Sequence, residues 1–490
     1  MFARRCVLAC ASVLAAGVVP ASGQGDAGQP PSSQAVVLKG RAPVSTELLK
    51  IKLPRPAEAD LPNGVHLMVL EDRRVPQVTF QIFIPGAGGY YDPADMSGLA
   101  SVAATMMREG TPTRTTLQIA EQLERLASTV NVGTGTASID ATLTGSSLTE
   151  NFDATFALAA DVLLNPTFPD EELARYKERT RAGLIQQRTN PGFLANEMFS
   201  RVVYGTHPAS RVALTAPVLD KVTRTMLADF HRERYVPDHA VIAIAGDIAM
   251  SAAKSAVESK LAGWKKRGVA EPPVQDPPPI GAGTISFIAR PNSVQTNFIV
   301  GTLGINRTAA DFDVVSVMNQ ILGGGPTGRL FTVLREEKGY TYGAYSGFSA
   351  GRFRGSWSAT TEVRTDVTEA AFRDLMIQIA RMRDEPVPDK EFQDRKRGMI
   401  ASFALSLENP QAVLNNHITR WIYKLPADYW DHYPERIAAV TQAQVREAAG
   451  KYLEKGRLQI VAVGDPKIGD SLKQFGTVNT YDTNGKLAGN

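Results

Sequence analysis

Beyond residue 10 the 490-residue sequence contains no cysteine, its two being Cys6 and Cys10. A disulfide framework is therefore excluded for everything after the first stretch, whatever the redox compartment. One-sided charge is missing as well, since 53 basic and 50 acidic residues leave a formal net charge of +3. No basic run or aromatic-interleaved patch occurs, which argues against a nucleic-acid partner. Long hydrophobic runs are absent except near the start, where Arg4 and Arg5 precede an apolar run from Cys6 to Val19, followed by Ala21-Ser22-Gly23. That run is shorter than the roughly 20 residues a spanning helix needs. The small-x-small step after it matches a cleavable secretory signal. Residues 1–23 are read as a signal peptide and the rest as periplasmic or secreted, with no membrane span once the signal is removed. A lipoprotein reading of Val7-Leu8-Ala9-Cys10 fails because almost no apolar region precedes Cys10.

Several chemistries are missing too. No G-x-S-x-G occurs, and Ser101 has no sequence-visible base to activate it. The six histidines, His66, His207, His231, His239, His417 and His432, include no pair four residues apart. Two imidazoles on one helix face are the usual local route to zinc, so these histidines read as core or surface residues.

What is present is an ordinary globular composition, 43% hydrophobic and 21% charged, long enough for two to four domains with full cores. Residues 24–50, rich in Gly, Pro, Ser and Gln, read as a linker. After it, Asn63-Gly64 turns into the alternating run Val65 to Leu70, and Val78 to Phe83 alternates again, so two strands open a sheet. Thr116–Leu126 and Thr149–Leu164 carry helical spacing, the second behind a threonine cap and closed by Asn165-Pro166. The two halves then repeat each other. Val222-Thr223 and Gly246-Asp247 recur as Val440-Thr441 and Gly464-Asp465, and Gln77 and Phe80 as Gln295 and Phe298, all 218 residues on. Thr149-Glu150, Pro169-Asp170 and Asn190-Pro191 recur as Thr368-Glu369, Pro388-Asp389 and Asn409-Pro410, 219 residues on. That period is too long for a solenoid and predicts two homologous α+β domains, residues 51–264 and 284–470. Between them the prolines of residues 265–283 form a stiff linker that does not pack as an element, and residues 471–490 read as a frayed polar tail.

The stretch Gly323 to Tyr345 stands apart. Gly323, Gly324, Gly325 and Gly328 free the backbone, and Leu330, Val333 and Leu334 give a short apolar helix face. Arg335 and Tyr342, seven apart across Gly339, can direct a guanidinium and a phenol at one spot, both hydrogen-bond donors and neither a base at neutral pH. Such a pair holds a carbonyl oxygen. On these residues alone the simpler reading is favoured, in which Arg335 salt-bridges Glu336 or Glu337 on the surface and Tyr342 sits half-buried in a strand.

Gly328-Arg329-Leu330-Phe331, then Leu334-Arg335 through Tyr342, resembles the C-terminal domain of the M16 (pitrilysin or insulinase-like) zinc peptidases. There such an arginine and tyrosine reach the substrate. Asn165-Pro166 with Glu171-Glu172, Tyr204 to Pro208, and Ala245-Gly246-Asp247 resemble landmarks of the family's other half. The resemblance implies two α+β domains of LuxS/metallohydrolase-like type, each a mixed sheet covered by helices, forming half of a clamshell around a peptide chamber. It also implies a zinc motif H-x-x-E-H directly after a G-x-A step. Here Gly98-Leu99-Ala100 is followed by Ser101 and Thr105 at the two ligand positions and Ala104 at the base position, and no residue of Arg181 to Gly183, where the third ligand is expected, is acidic. Hydroxyls are poor zinc ligands beside imidazole, and alanine cannot take a proton from water. In this family some bacterial enzymes divide the work between a zinc-bearing chain and one carrying the arginine and tyrosine. The expectation is a zinc-free substrate-binding subunit, inactive alone, that pairs with a zinc-bearing H-x-x-E-H chain and grips peptide carbonyls through Arg335 and Tyr342. The alternatives are a purely structural M16-like protein and a stand-alone peptide-binding module.

Overall fold

Alternation along Gln77–Pro85, buried at every second residue, makes this segment the central strand of the first sheet. The computed structural model describes residues 47–488, so the signal-peptide reading and most of the expected linker at 24–50 lie outside them. From Leu48 onward the chain forms one compact unit. Its strands are β1 (Ala57–Asp60), β2 (His66–Glu71), β3 (Gln77–Pro85), a small ribbon β4 (Gly110–Thr111) and β5 (Arg114–Thr115), then β6 (Thr129–Gly133), β7 (Asp140–Leu148) and β8 (Val241–Gly246). The second half supplies β9 (Ile285–Ala289), β10 (Gln295–Leu303), β11 (Thr341–Phe348), β12 (Ser356–Arg364), β13 (Gln459–Gly464) and β14 (Val478–Tyr481).

Two six-stranded mixed sheets result, ordered β1-β2-β8-β3-β7-β6 and β11-β12-β10-β13-β9-β14. Read from the β6 and β11 edges inward, five strands correspond one to one, including the parallel pairs β2·β8 and β9·β13. The sixth strand breaks the correspondence: β1 joins the first sheet antiparallel to β2, and β14 joins the second parallel to β9. The expected frayed tail beyond 471 is therefore corrected. Val478–Tyr481 closes a sheet edge, where the parallel ladder with β9 takes up its backbone groups.

Helices follow the same repeat. In the first half they include α1 (Leu99–Met106), α2 (Thr116–Arg125), α3 (Phe152–Leu164), α4 (Asp170–Gln187) and α5 (Pro191–Tyr204). Thr115 and Gln118 build a full capping box at the start of α2. The expected threonine cap on α3 is not formed; Thr149 opens a 3₁₀ turn instead, and its hydroxyl lies 3.5 Å from Asp247. Counterparts of α4 and α5 are Asp389–Ser406 and Pro410–Ile422. Lys177 in α4 donates to the Asp220 carbonyl at 3.0 Å, and its counterpart Lys396 donates to the Val440 carbonyl at 2.7 Å, each satisfying the end of the short helix beneath it.

α5 and its counterpart are exchanged between the halves. The apolar face of α5, with Leu194, Met198, Phe199 and Val203, packs against Ile288, Ile299, Val461 and Val463 of the second sheet. Reciprocally, Val413, Leu414 and Ile418 of Pro410–Ile422 pack against Met68, Leu70, Val241 and Ala243 of the first. This explains why β2 does not alternate as its sequence suggests: Leu67 and Val69 face their own half's core while Met68 and Leu70 face the exchanged helix, so all four are buried. The linker at 265–283 has no helix or strand, yet it is held at several points. Asp238 accepts from the backbone N–H groups of Arg267, Gly268 and Val269 at 2.9, 2.6 and 3.0 Å, and Tyr91 donates to the Pro272 carbonyl at 3.1 Å. Arg352 from the second lobe pairs with both Asp140 of β7 and Glu271 of the linker.

Candidate functional site

The helix that the family resemblance assigns to zinc is α1, and the local sequence builds it firmly. Asp92 is buried, and its two carboxylate oxygens accept from the backbone N–H of Gly98 at 2.7 Å and of Ala100 at 3.0 Å. Gly98 takes φ +102°, a conformation that favours glycine, so the chain can turn sharply into the helix. Burial is the larger influence on Asp92 and pushes its carboxyl up to about 6, against the two N–H donors that favour the anion. A folded pKa above the unfolded value near 3.9 means that this group's stabilisation is complete below about pH 4 and is lost as pH rises through about 6. Relative to Asp92→Asn, which does not titrate, the natural protein should therefore lose up to about 3 kcal/mol between pH 4 and pH 7. Calorimetric melting of both proteins across that range checks it, and a difference that does not vary with pH contradicts it.

On α1 itself, Ser101 is half-buried and Thr105 exposed on the outer face, while Ala104 is fully buried. The Thr105 hydroxyl donates back to the Ser101 carbonyl at 2.9 Å, so it serves the helix backbone. Neither imidazole nor carboxylate is present at these positions, and this donor set does not fit Zn²⁺. Arg181, at the position expected for the third ligand, pairs with Asp220 on the exposed side of α4. Among the described residues no group of three His, Cys, Asp or Glu side chains gathers to hold a metal ion.

The six histidines have structural partners instead. His66 meets Asp60 at 2.7 Å and stacks on Trp421. His231, His239 and His417 meet the carbonyls of Leu163, Val269 and Pro54 at 2.7, 3.1 and 2.8 Å. His432 pairs with Asp428 at 3.3 Å. His207 is the informative one: its Nδ1 accepts from the Ala209 N–H at 3.1 Å, which leaves Nε2–H to donate to the Gln275 carbonyl at 3.0 Å. That fixes a neutral tautomer, and burial accordingly holds its pKa below the usual value. His207 is thus a pin for the inter-lobe linker.

In the second lobe, the glycine-rich loop is shaped by close approach more than by unusual dihedrals. A Cβ on Gly323 would lie 2.6 Å from the Ser346 backbone nitrogen, and one on Gly328 would lie 2.8 Å from the Gly323 Cα. The loop can therefore press onto β11, where the Ser346 N–H donates to the Gly323 carbonyl at 2.8 Å. Buried Arg329 anchors the next turn through two bonds to Glu391, at 2.8 and 2.7 Å. The expected α-helix then runs only from Arg329 to Phe331 and continues as a π-helical turn over Thr332–Glu337. Such turns are rare and concentrate at functional sites.

Arg335 sits on that turn. Its guanidinium lies 4.9 Å from the centre of the Phe331 ring and 3.6 Å from the Glu336 carboxylate. Tyr342 stands on β11 at 89% exposure, and its hydroxyl makes no hydrogen bond among the described residues. The half-buried strand position considered for Tyr342 is therefore corrected. A register irregularity between Thr341 and Ala344 explains it, because the extra residue turns Tyr342 and Tyr345 toward solvent together. The turn that carries Arg335 packs on β11, the strand that carries Tyr342. Sequence reasoning gave no role to Phe331 and Tyr345; the buried Phe331 ring meets the exposed Tyr345 ring at 5.5 Å beside the guanidinium. Sequence reasoning also missed β6, the free edge of the first sheet, which packs beside α1 in the place that β11 holds in the second. Val130 and Val132 alternate along β6, which marks a strand but not an edge; only the sheet order shows the edge.

Comparison with known proteins bears on both lobes. Residues 67–215 match the family profile described as Insulinase (Peptidase family M16), and residues 221–399 match the one described as Peptidase M16 inactive domain. A Bacillus subtilis protein named an uncharacterized zinc protease is 24% identical over 72% of this chain and 85% of its own length. A Mycobacterium leprae protein of the same description is 24% identical over 81% of this chain and 88% of its own. A crystal structure described as a peptidase M16 inactive domain from Pseudomonas fluorescens superposes with TM-score 0.77 at 28% identity, covering 84% of this chain and 98% of that one. A protease structure from Helicobacter pylori shares the fold at TM-score 0.77 and 14% identity.

Proposed function

Because the chain belongs to the M16 (insulinase) peptidase family, its lobes matching that family's two profiles in order, we propose that it is the zinc-free subunit of a heteromeric M16 peptidase. In this reading it acts outside the cytoplasm and holds peptide carbonyls through Arg335 and Tyr342, while a partner chain with an intact H-x-x-E-H motif supplies zinc and nucleophile. The observation that carries the reading is an asymmetry between equivalent edges. Beside β6, α1 keeps its fold and its Asp92 cap but presents Ser101 and Thr105 where zinc ligands would stand. Beside β11, a phenol and a guanidinium remain on the surface with no structural duty that demands them.

Both β6 and β11 end their sheets; at β11 the Ser346 N–H and C=O are already taken by Gly323 and Asn319, so an extended peptide would add as a further strand along the residues before Ser346. A peptide carbonyl beside β11 would receive hydrogen bonds from the Tyr342 hydroxyl and an Arg335 N–H. Both donors gain strength as the carbonyl oxygen becomes negative, which is when stabilisation accelerates a reaction. Neither can activate water, so turnover by this chain alone is not expected.

Elemental analysis of the purified chain should find no stoichiometric zinc. Peptide hydrolysis should be absent for the isolated chain and should arise on adding a zinc-bearing M16 subunit. About one tightly held zinc per chain, or chelator-sensitive hydrolysis by the isolated protein, overturns the proposal.

A further inference from the structure

The two lobes differ at one place that the duplication would have filled alike. In the first lobe the helix Met250–Lys260 and the turn after it bury Ala253, Val257, Leu261 and Trp264 against α3 and β2. The Trp264 indole donates to the Tyr235 carbonyl at 2.9 Å, and Asn63 donates to the Trp264 carbonyl at 3.4 Å, so the indole closes the space at the start of β2. In the second lobe the chain leaving β13 runs through 3₁₀ turns and a single α-helical turn, Gly469–Leu472, over Pro466–Phe475 into β14, and supplies neither an eleven-residue helix nor an indole. A cleft of about 420 Å³ is left between the helix Thr368–Asp384, the start of β9 and the loop at Lys455.

Its floor is apolar, built from Ile285, Phe372, Met376 and Phe475, and Ile377 beside it is 45% exposed. Its rim is cationic. Arg373 bonds Glu369 and Gln474 at 2.7 and 3.1 Å, Arg383 bonds Asp384 at 2.8 Å, and Lys455 has no partner among the described residues. No acidic side chain lines the cleft. The size falls within the range of small-molecule sites, about 300–1,000 Å³. Apolar walls call for an apolar group, and an unpaired ammonium at the mouth calls for an anion.

We propose that this cleft binds a small amphipathic carboxylate, its apolar part against Phe372 and Met376 and its carboxylate at Lys455 and Arg373. A medium-chain acyl carboxylate and the C-terminal end of a peptide with a large apolar last residue present this same chemistry. The cleft shares no lining residue with the Arg335 turn, so its test stands apart from the subunit proposal.

Calorimetric titration of the whole chain with decanoate, decanol, and an acetylated tetrapeptide ending in leucine, as free acid and as amide, tests the site. Saturable decanoate binding is expected, with decanol at least about tenfold weaker for want of the charge. Lys455→Glu, on an exposed loop, should weaken decanoate at least about tenfold at unchanged melting temperature. Ala380→Trp should fill the cleft and abolish binding. A peptide acid that matches decanoate and exceeds its amide makes a peptide C-terminus the source, whereas decanoate binding with a silent peptide makes it an acyl chain. Absence of saturable binding by both, or binding that Lys455→Glu leaves unchanged, overturns the proposal.

Discussion

Produced as separate polypeptides, residues 48–264 and 284–488 should each fail to fold, and a folded complex should form only when they are made together. Each half's sheet has one face covered by its own helices and the other by a helix from the opposite half. Removing the partner exposes Ile299, Val461 and Val463 on one side and Met68, Val241 and Ala243 on the other, all buried in the whole chain. At roughly 1.5–3 kcal/mol per large apolar side chain, the loss is comparable with the 5–15 kcal/mol by which a typical domain is stable. A milder version needs no fragments. Phe199→Ala should cost about 3–5 kcal/mol, because this ring from α5 is buried on Gly301 of β10. Gly301→Ala should be comparably damaging, since the added Cβ would lie 2.3 Å from the Trp357 carbonyl and 2.6 Å from the Phe199 ring. Circular dichroism and size-exclusion chromatography of the fragments decide the matter: either half alone, monomeric and melting cooperatively, would sink the expectation.

Tyr342→Phe and Arg335→Ala should reduce turnover by the mixed subunits about a hundred- to a thousandfold each, the range found when one donor to a developing oxyanion is lost. The corresponding change in stability should be small. Tyr342 is 89% exposed and Phe keeps its ring, so the substitution removes one hydroxyl from water. Arg335 forfeits an exposed ion pair with Glu336 and a cation–π contact with Phe331, together worth no more than about 1–2 kcal/mol. Arg335→Lys should rescue only partly, because a point charge cannot reproduce the planar fork. Unchanged turnover in both variants would refute the carbonyl-gripping role and favour a structural M16-like protein. Melting temperature is the control: the carbonyl-gripping role requires turnover to fall while melting temperature holds.

Much of this architecture could be read from the sequence because it is written twice. Asn190-Pro191 and Asn409-Pro410 cap equivalent helices, the asparagine side chains accepting from Phe193 and Gln411 at 3.1 and 2.9 Å. Val241–Gly246 and Gln459–Gly464 are equivalent strands. The repeat could not reveal that the capped helices cross over, since a helix with one apolar face fits either sheet equally well and only the tertiary arrangement chooses. The end strands were hidden for a related reason. Val478–Tyr481 is half-buried and polar enough to resemble a tail until β9 offers it a ladder. At the site, the family resemblance singled out Ser101, Ala104, Thr105, Arg335 and Tyr342. The surroundings did not: the π turn and the irregularity in β11 follow from how the glycine loop presses on the sheet, which no local propensity encodes.

The crossed helices also describe an ancestry. Two identical units trading one helix each about a two-fold axis is the arrangement of a domain-swapped homodimer. Joining the end of one unit to the start of the next through a proline-rich segment converts that dimer into a single chain with the same internal interface. Once fused, the copies were free to drift apart wherever the shared interface was not involved. The outer face of α1 is such a place: Ser101 and Thr105 bear on neither exchanged helix, so a ligand set there could be erased in one copy without weakening the union of the two.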